Sequence, residues 1–228
     1  MARILIIRFS ALGDVAMTVP VVHSLAAEYP QHEIIVLSRT ALQPLFLKLP
    51  ENVSFYGADL SGKHKGLRGL NSLYAELKGL HFDYVADFHD ILRAKYLRWR
   101  FRLDGVPVAA ICKGRAGKKK LVRRHHKVFE KQESSFRRYA DVLEKLGLQL
   151  KFTSIYGEGK GDFSQIEPVV GPKGNNKWIG IAPFAKHKGK IYPIEQQERV
   201  VAYFAAMPDV KVFLLGGGKS EKEVFDHW

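Results

Sequence analysis

Cysteine is nearly absent from this sequence. Cys112 is the only one in 228 residues, so no disulfide can close within the chain, and the composition fits a reducing compartment such as the cytoplasm. Long hydrophobic runs are missing as well. The first apolar run, Ile4-Leu5-Ile6-Ile7, stops at Arg8, too soon for a signal-peptide core, and no stretch approaches the ~20 apolar residues that span a bilayer. Acidic residues are scarce beside basic ones: 23 Asp+Glu stand against 36 Lys+Arg, a formal charge of +13. Such an excess favours anionic partners, whether nucleic acid, phosphorylated metabolites or an anionic membrane surface. The rest of the composition, 46% hydrophobic and 26% charged, is that of an ordinary globular protein.

What is present has a strand–helix rhythm. Residues 2–9, 33–38, 53–56, 83–88 and 106–112 read as strands. Helical patterns separate them at 15–29, 41–49, 68–79 and 91–103, which predicts a parallel α/β sheet. Pro20 interrupts the first helical span. Either Thr18 caps a helix with Pro20 in its first turn, or Pro20 kinks a longer one. A helix from Ser134 to Leu146 ends at Gly147. Residues 156–177 are rich in Gly, Pro, Lys and Asn and read as a linker between a first domain, 1–155, and a second, 178–228. The second repeats the rhythm with a strand at 178–182, a helix at 194–207, a strand at 210–215 and a helix start near Ser220. One strand-helix-strand unit is too small to close its own core, so this domain is expected to be incomplete.

Four stretches can carry chemistry. Ser10-Ala11-Leu12-Gly13-Asp14 lies where the first strand meets a helix, and ligands of open α/β sheets collect at the carboxyl ends of strands. Gly13 lets a ligand approach the backbone; Asp14 either caps the helix or acts on that ligand. The loop from Pro183 to Pro193 carries Lys186, Lys188 and Lys190 just before a helix. It is either an anion site or a solvated basic loop. Gly216-Gly217-Gly218-Lys219-Ser220-Glu221 is not a phosphate-binding P-loop, because Phe213 stands where that motif needs its first glycine. Residues 113–138 hold eleven cations against Glu130 and Glu133, and Gly114 and Gly117 suggest a flexible loop. No interleaved aromatics form a stacking platform there, which argues against nucleic acid. His125 and His126 lack metal-ligand partners at useful spacing.

The segment Ile4-Leu5-Ile6-Ile7-Arg8-Phe9-Ser10-Ala11-Leu12-Gly13-Asp14-Val15, followed by Thr18-Val19-Pro20, closely resembles the amino-terminal motif of the lipopolysaccharide heptosyltransferase family, glycosyltransferase family 9. Lys190-Ile191-Tyr192-Pro193 is similar to that family's Lys-x-Trp-Pro loop, with Tyr for Trp. Asp87 and Arg93 are in register with its Asp-x-x-x-x-x-Arg segment. The resemblance implies a GT-B architecture, two Rossmann-like domains facing a cleft. It implies an inverting, metal-independent transfer without a cofactor, of heptose or a similar sugar, from a nucleotide sugar such as ADP-heptose to an anionic lipopolysaccharide-core acceptor. The enzyme would work in the cytoplasm, in peripheral contact with the inner membrane.

Residue by residue, the resemblance makes Asp14 the general base. Gly13, Lys186, Lys190 and Glu221 become donor contacts. Ser10, His89, Arg93, Lys113, Arg115, Lys120 and Arg123 become candidates for the acceptor side. The family's later Asp/Ser-Gly-x-x-His donor motif does not occur in these residues, which implies a weakly held donor. The competing expectation is a non-catalytic basic module that binds nucleic acid or anionic surfaces through residues 113–138.

Overall fold

The computed structural model describes residues 1–47, 49–152, 163–164, 166–185 and 187–228. The chain divides into two units, Met1–Gly159 and Lys160–Trp228.

The first unit is built on five parallel strands: β1 (Arg3–Ile7), β2 (Glu33–Arg39), β3 (Val53–Ala58), β4 (Tyr84–Asp87) and β5 (Val108–Ala110). They lie in the order β3-β2-β1-β4-β5, and Ile7 sits level with both Leu37 and Asp87. The central strands are near-continuous apolar runs because both faces of a parallel sheet are covered. Alternation then sorts the side chains. Ile4, Ile6, Ile34 and Val36 join one core with Val22, Leu25, Tyr139 and Val142. Leu5, Ile7, Ile35 and Leu37 join another with Leu73, Leu77, Leu97 and Phe101. The first core is closed by α1 (Leu12–Ala16), α2 (Val19–Glu28) and α6 (Ser135–Glu144), the second by α3 (Gly66–Lys78) and α4 (Leu92–Leu103).

Several local outcomes refine the sequence expectations. The first helical span is two helices, with Thr18 at the start of α2 and Pro20 in its first turn. The Thr18 hydroxyl turns backward, however, and donates to the Val15 carbonyl at 2.7 Å. Residues 41–49 are represented by a 3-10 helix, Thr40–Phe46, with Pro44 inside it. The basic stretch is not all loop: α5 (Arg115–Leu121) occupies its start. Gly114, at φ 59°, turns the chain into α5, and a Cβ there would lie 2.5 Å from the Arg138 guanidinium. Ser134 caps α6 by accepting from the Arg137 N–H, and Gly147 follows the helix at φ 83°.

The second unit contains α7 (Glu167–Val170), β6 (Lys177–Ile181), a 3-10 turn at Lys188–Lys190, α8 (Ile194–Ala205), β7 (Val210–Leu214) and α9 (Lys219–His227). β6 and β7 pair in parallel. The later part of the span read as a linker packs on this unit. Phe163 meets Trp178 edge-on, and Lys211 donates to the Val170 carbonyl. Among the described residues, no helix is long and apolar enough to cross a membrane.

A polar knot holds the loop between β3 and α3. The Glu76 carboxylate accepts from Tyr56 Oη at 2.7 Å and Ser72 Oγ at 3.0 Å, meets His64 Nε2 at 3.3 Å, and pairs with Lys63 at 2.9 Å. Burial alone would raise its pKa. The hydrogen bonds from Tyr56, Lys63, Ser72 and His64 outweigh burial and hold it at about 2 against an ordinary 4.5. A folded-state pKa below the unfolded one gives stability that is present above the unfolded value and lost as pH falls through the folded one. Melting temperature should therefore fall between about pH 4.5 and pH 2. Glu76→Gln should lower it at pH 7 and flatten that slope, as thermal melts across pH would show.

Candidate functional site

The strand order reverses between β1 and β4, and in such sheets the crevice beyond the carboxyl ends at that point takes the ligand. The loop after β1 carries Ser10 there and leads into Gly13 and Asp14 in the first turn of α1; the loop after β4 carries His89 and Asp90. Arg8 joins them. Its side chain is buried, and Nη2 lies 2.7 Å from Asp14 Oδ2. Nη1 donates to the Phe88 carbonyl at 2.6 Å, and the guanidinium sits 5.9 Å from the centre of the Tyr139 ring.

Asp14 takes the capping position and also faces a cavity. As the third residue of α1 it accepts from the Ala11 N–H at 3.3 Å, which is the capping contact. Yet its side chain is 47% exposed and lines a cavity of about 430 Å³ together with Arg8, Lys113, Lys118, Arg138 and Tyr139. Both contacts fall on Oδ2; among the described residues Oδ1 takes none. The backbone beneath is pinned as well, because Tyr139 Oη donates to the Asp14 carbonyl at 3.1 Å. A carboxylate held on one oxygen at the mouth of a cationic cavity can take a proton from a hydroxyl on an anionic ligand. A Cβ on Gly13 would meet nothing within 4 Å, so the backbone there is open to approach.

His89 is a buried element of this loop rather than a surface contact. Its Nδ1 accepts from the Phe9 N–H at 3.2 Å, which places the ring proton on Nε2, 3.3 Å from Ser10 Oγ. Burial, reinforced by the charges of Arg8 and Lys113, pushes the imidazole down to about 4. The neutral ring can thus bridge the two loops without adding a further charge. Arg39, at the end of β2, donates to the Phe9 carbonyl at 2.9 Å and holds the same loop from the other side.

The segment after β4 is organised by Asp87, which is fully buried. One oxygen accepts from the His89 and Asp90 N–H groups at 2.9 and 2.8 Å; the other pairs with Arg98 at 2.9 Å. Burial raises the Asp87 pKa against these partners. Neither His89 nor Asp90 caps α4, whose N-cap is Ile91. Arg93, a candidate for the acceptor side, lies exposed in the first turn of α4, and Arg98 makes the ion pair with Asp87.

Of the basic stretch, Lys113 reaches the site. Its ammonium donates to the Asp90 carbonyl at 2.9 Å, and burial lowers its pKa. Lys118 and Arg138 also line the cavity, whereas Arg115, Lys120 and Arg123 are exposed and are not among its lining residues. Arg8, Lys118 and Arg138 were not singled out in the sequence. Only the local charge density signalled the last two, and Arg8 looked like the end of a strand. Among the described residues, no group of three or more His, Cys, Asp or Glu is placed to hold a metal ion.

In the second unit, Lys190 lies exposed on the 3-10 turn, and Lys186 is outside the described residues. Gln197 of α8, buried, fixes the loop around Lys190. Its Nε2 donates to the Pro183 and Tyr192 carbonyls, each at 2.9 Å. Glu221 folds back and accepts from the Gly217 N–H at 2.7 Å, closing the glycine turn.

A five-stranded parallel sheet with its site at the switch point, followed by a second α/β unit, defines a Rossmann-type architecture. Solved structures with the same fold include glycosyltransferases. A family 9 glycosyl transferase from Veillonella parvula DSM 2008 matches 99% of the chain with a TM-score of 0.75 at 22% identity, and the chain spans 65% of that protein's length. The E. coli heptosyltransferase WaaC with ADP matches 99% of the chain and 71% of its own, with a TM-score of 0.64 at 16% identity. E. coli ADP-heptose lps heptosyltransferase II gives 0.60 at 17% identity, over 99% of this chain and 69% of its own. No family model matches the sequence, and no curated protein matches it.

Two outcomes test this geometry. His89 should stay neutral with its proton on Nε2 until pH falls to about 4, read from imidazole ¹⁵N shifts. Because its folded pKa lies below the unfolded 6.5, its contribution to stability should be complete above pH 6.5 and decline as pH falls toward 4. Gln197→Ala leaves two carbonyls without their donor. It should cost about 1–3 kcal/mol and speed proteolytic cleavage between Pro183 and Tyr192.

Proposed function

We propose that this chain belongs to an inverting, metal-independent glycosyltransferase of the heptosyltransferase type. The first unit would receive an anionic acceptor such as a lipopolysaccharide core. The second would take part in holding a nucleotide sugar such as ADP-heptose. The observation that carries this reading is the Asp14 carboxylate, fixed on one oxygen by Arg8 and open to a cavity lined by Lys113, Lys118 and Arg138. Asp14 Oδ1 removes the proton from the acceptor hydroxyl as that oxygen attacks the anomeric carbon. The diphosphate leaves with its charge balanced by Lys190 and, on the same reading, Lys186. A diphosphate is a sufficiently good leaving group that one base serves. Neither metal nor cofactor enters the proposed step.

The cations of the cavity suit phosphates or carboxylates on the acceptor. Arg115, Lys120 and Arg123 extend the positive surface away from it toward larger anionic partners. Arg93 and Glu221 remain candidates for acceptor and donor contact. The setting proposed is the cytoplasmic face of a membrane, with peripheral contact. Two E. coli proteins of this fold are named for heptose transfer, and the Ser-x-x-Gly-Asp loop here sits at the switch point such chemistry needs.

The test is a transfer assay in the whole protein with ADP-heptose and a deacylated core acceptor. Asp14→Asn should lower turnover by roughly 10²–10⁴-fold while ADP affinity holds and the fold persists, with a lower melting temperature because buried Arg8 loses its counter-ion. Lys190→Ala should weaken ADP binding about tenfold or more, as expected for one charge-assisted contact. Near-normal turnover of Asp14→Asn would overturn the assignment of the base.

A further inference from the structure

Helix α4 has two apolar faces. Ala94, Leu97 and Phe101 are buried against the sheet. On the opposite side Leu92, Trp99 and Leu103 stand 85%, 55% and 66% exposed. With half-buried Tyr96 they follow i, i+4, i+7, i+11 spacing, a stripe within an arc of about 60°. Arg93 and Arg100 flank the stripe on one side, Lys95 and Arg102 on the other, and α4 contains no acidic residue. The two acids at its ends are already paired: Asp90 with Lys95 and Arg98 of α4 itself, Asp104 with Lys78 and Tyr74. Arg100 donates to Tyr96 Oη and stacks on Tyr74, which leaves Arg93 and Arg102 as the outward cations.

We infer that this outer face of α4 docks on an anionic lipid surface, with Trp99, Leu92 and Leu103 entering the interface and Arg93 and Arg102 meeting headgroup phosphates. An indole is favoured at the boundary between headgroup and acyl chain, and flanking cations on an apolar stripe are the pattern of helices that lie in that plane. Charge selects the partner. A protein surface that accepted this face would need a matching apolar groove with acids on both rims. An anionic bilayer supplies both features without further design. α4 begins just after the β4 loop that carries His89, so the stripe starts at the carboxyl end of the sheet, where Asp14 also lies. This inference rests on the peripheral-membrane part of the proposed function and assigns it a surface distinct from the basic stretch 113–138.

Sedimentation with vesicles of phosphatidylglycerol and phosphatidylethanolamine, against phosphatidylcholine alone, tests it without donor or acceptor. The chain should partition onto the anionic vesicles in a salt-sensitive way. Trp99→Ser with Leu103→Ser should lower partitioning about tenfold at unchanged melting temperature. Arg93→Glu with Arg102→Glu, which touches no apolar side chain, should do the same. Charge reversal at Lys119 and Lys120 should have the smaller effect.

Wild-type partitioning by both α4 double variants would overturn the inference, as would loss confined to the Lys119/Lys120 variant. So would absence of vesicle binding, including the case where the face instead drives self-association that Trp99→Ser abolishes. An inactive protein that still binds vesicles through α4 fails only the transferase reading. An active one that ignores vesicles fails only this one.

Discussion

The guanidinium of Arg8 is the contact on which the site depends. It ends the central strand, where an apolar run should continue into a loop, and it is buried. Three neighbours repay that burial: the Asp14 carboxylate, the Phe88 carbonyl and the face of Tyr139. These belong to α1, the β4 loop and α6, so one side chain ties together the three elements that surround the crevice. Its Nε has no partner among the described residues, so the charge is satisfied only through the two terminal nitrogens. Removing the acid would leave the buried guanidinium uncompensated, which costs more than a surface pair could return. Asp14 is thereby both a structural counter-ion and a carboxylate open to the cavity.

The electrostatics around this pair are consistent with that arrangement. Arg8, Arg39 and Lys113 crowd the end of the sheet, and a protonated imidazole among them would be repelled. Burial and these charges keep His89 neutral, which gives it one accepting and one donating nitrogen. That asymmetry is useful. The accepting Nδ1 holds the Phe9 amide, and the Nε2 proton faces Ser10, so the ring sets the path of the β1 loop two residues before α1. A charged side chain in the same place would need its own counter-ion and would compete with Arg8 for Asp14.

Much of the first unit was legible in the sequence because its signals are periodic. Runs such as Ile34-Ile35-Val36-Leu37 have no other place than a covered parallel strand, and the Ser10–Asp14 turn falls where strand rhythm gives way to helix. The less legible parts are those set by tertiary contact or by ambiguous composition. α5 was hidden because a run of lysines reads as a solvated loop whether or not it is helical. The Asp87–Arg93 spacing said nothing of Arg98, which after a strand end and a tight turn is the residue on the inward side of α4 that returns to the Asp87 carboxylate. Thr18 sat where expected and still did not cap, because its hydroxyl found the Val15 carbonyl first. Gln197 had no signal at all: a polar residue on an amphipathic helix reads as surface until the loop it holds is folded over it.

The Asp87–Arg98 pair also explains why α4 can carry an apolar face on each side. An amphipathic helix ordinarily finds its rotation from a single apolar stripe, and two opposed stripes leave that rotation undetermined. Here the ambiguity is removed by charge. Arg98 lies beside the buried Ala94/Leu97/Phe101 face, and its bond to a fully buried carboxylate can form in only one rotational setting. Turning α4 by half a turn would bury Trp99 and Leu103, but it would also strand Asp87 without its cation. The buried ion pair contributes little net stability by itself. Its effect is to choose between two packings that hydrophobic burial alone would rank closely, and the choice leaves Leu92, Trp99 and Leu103 facing outward.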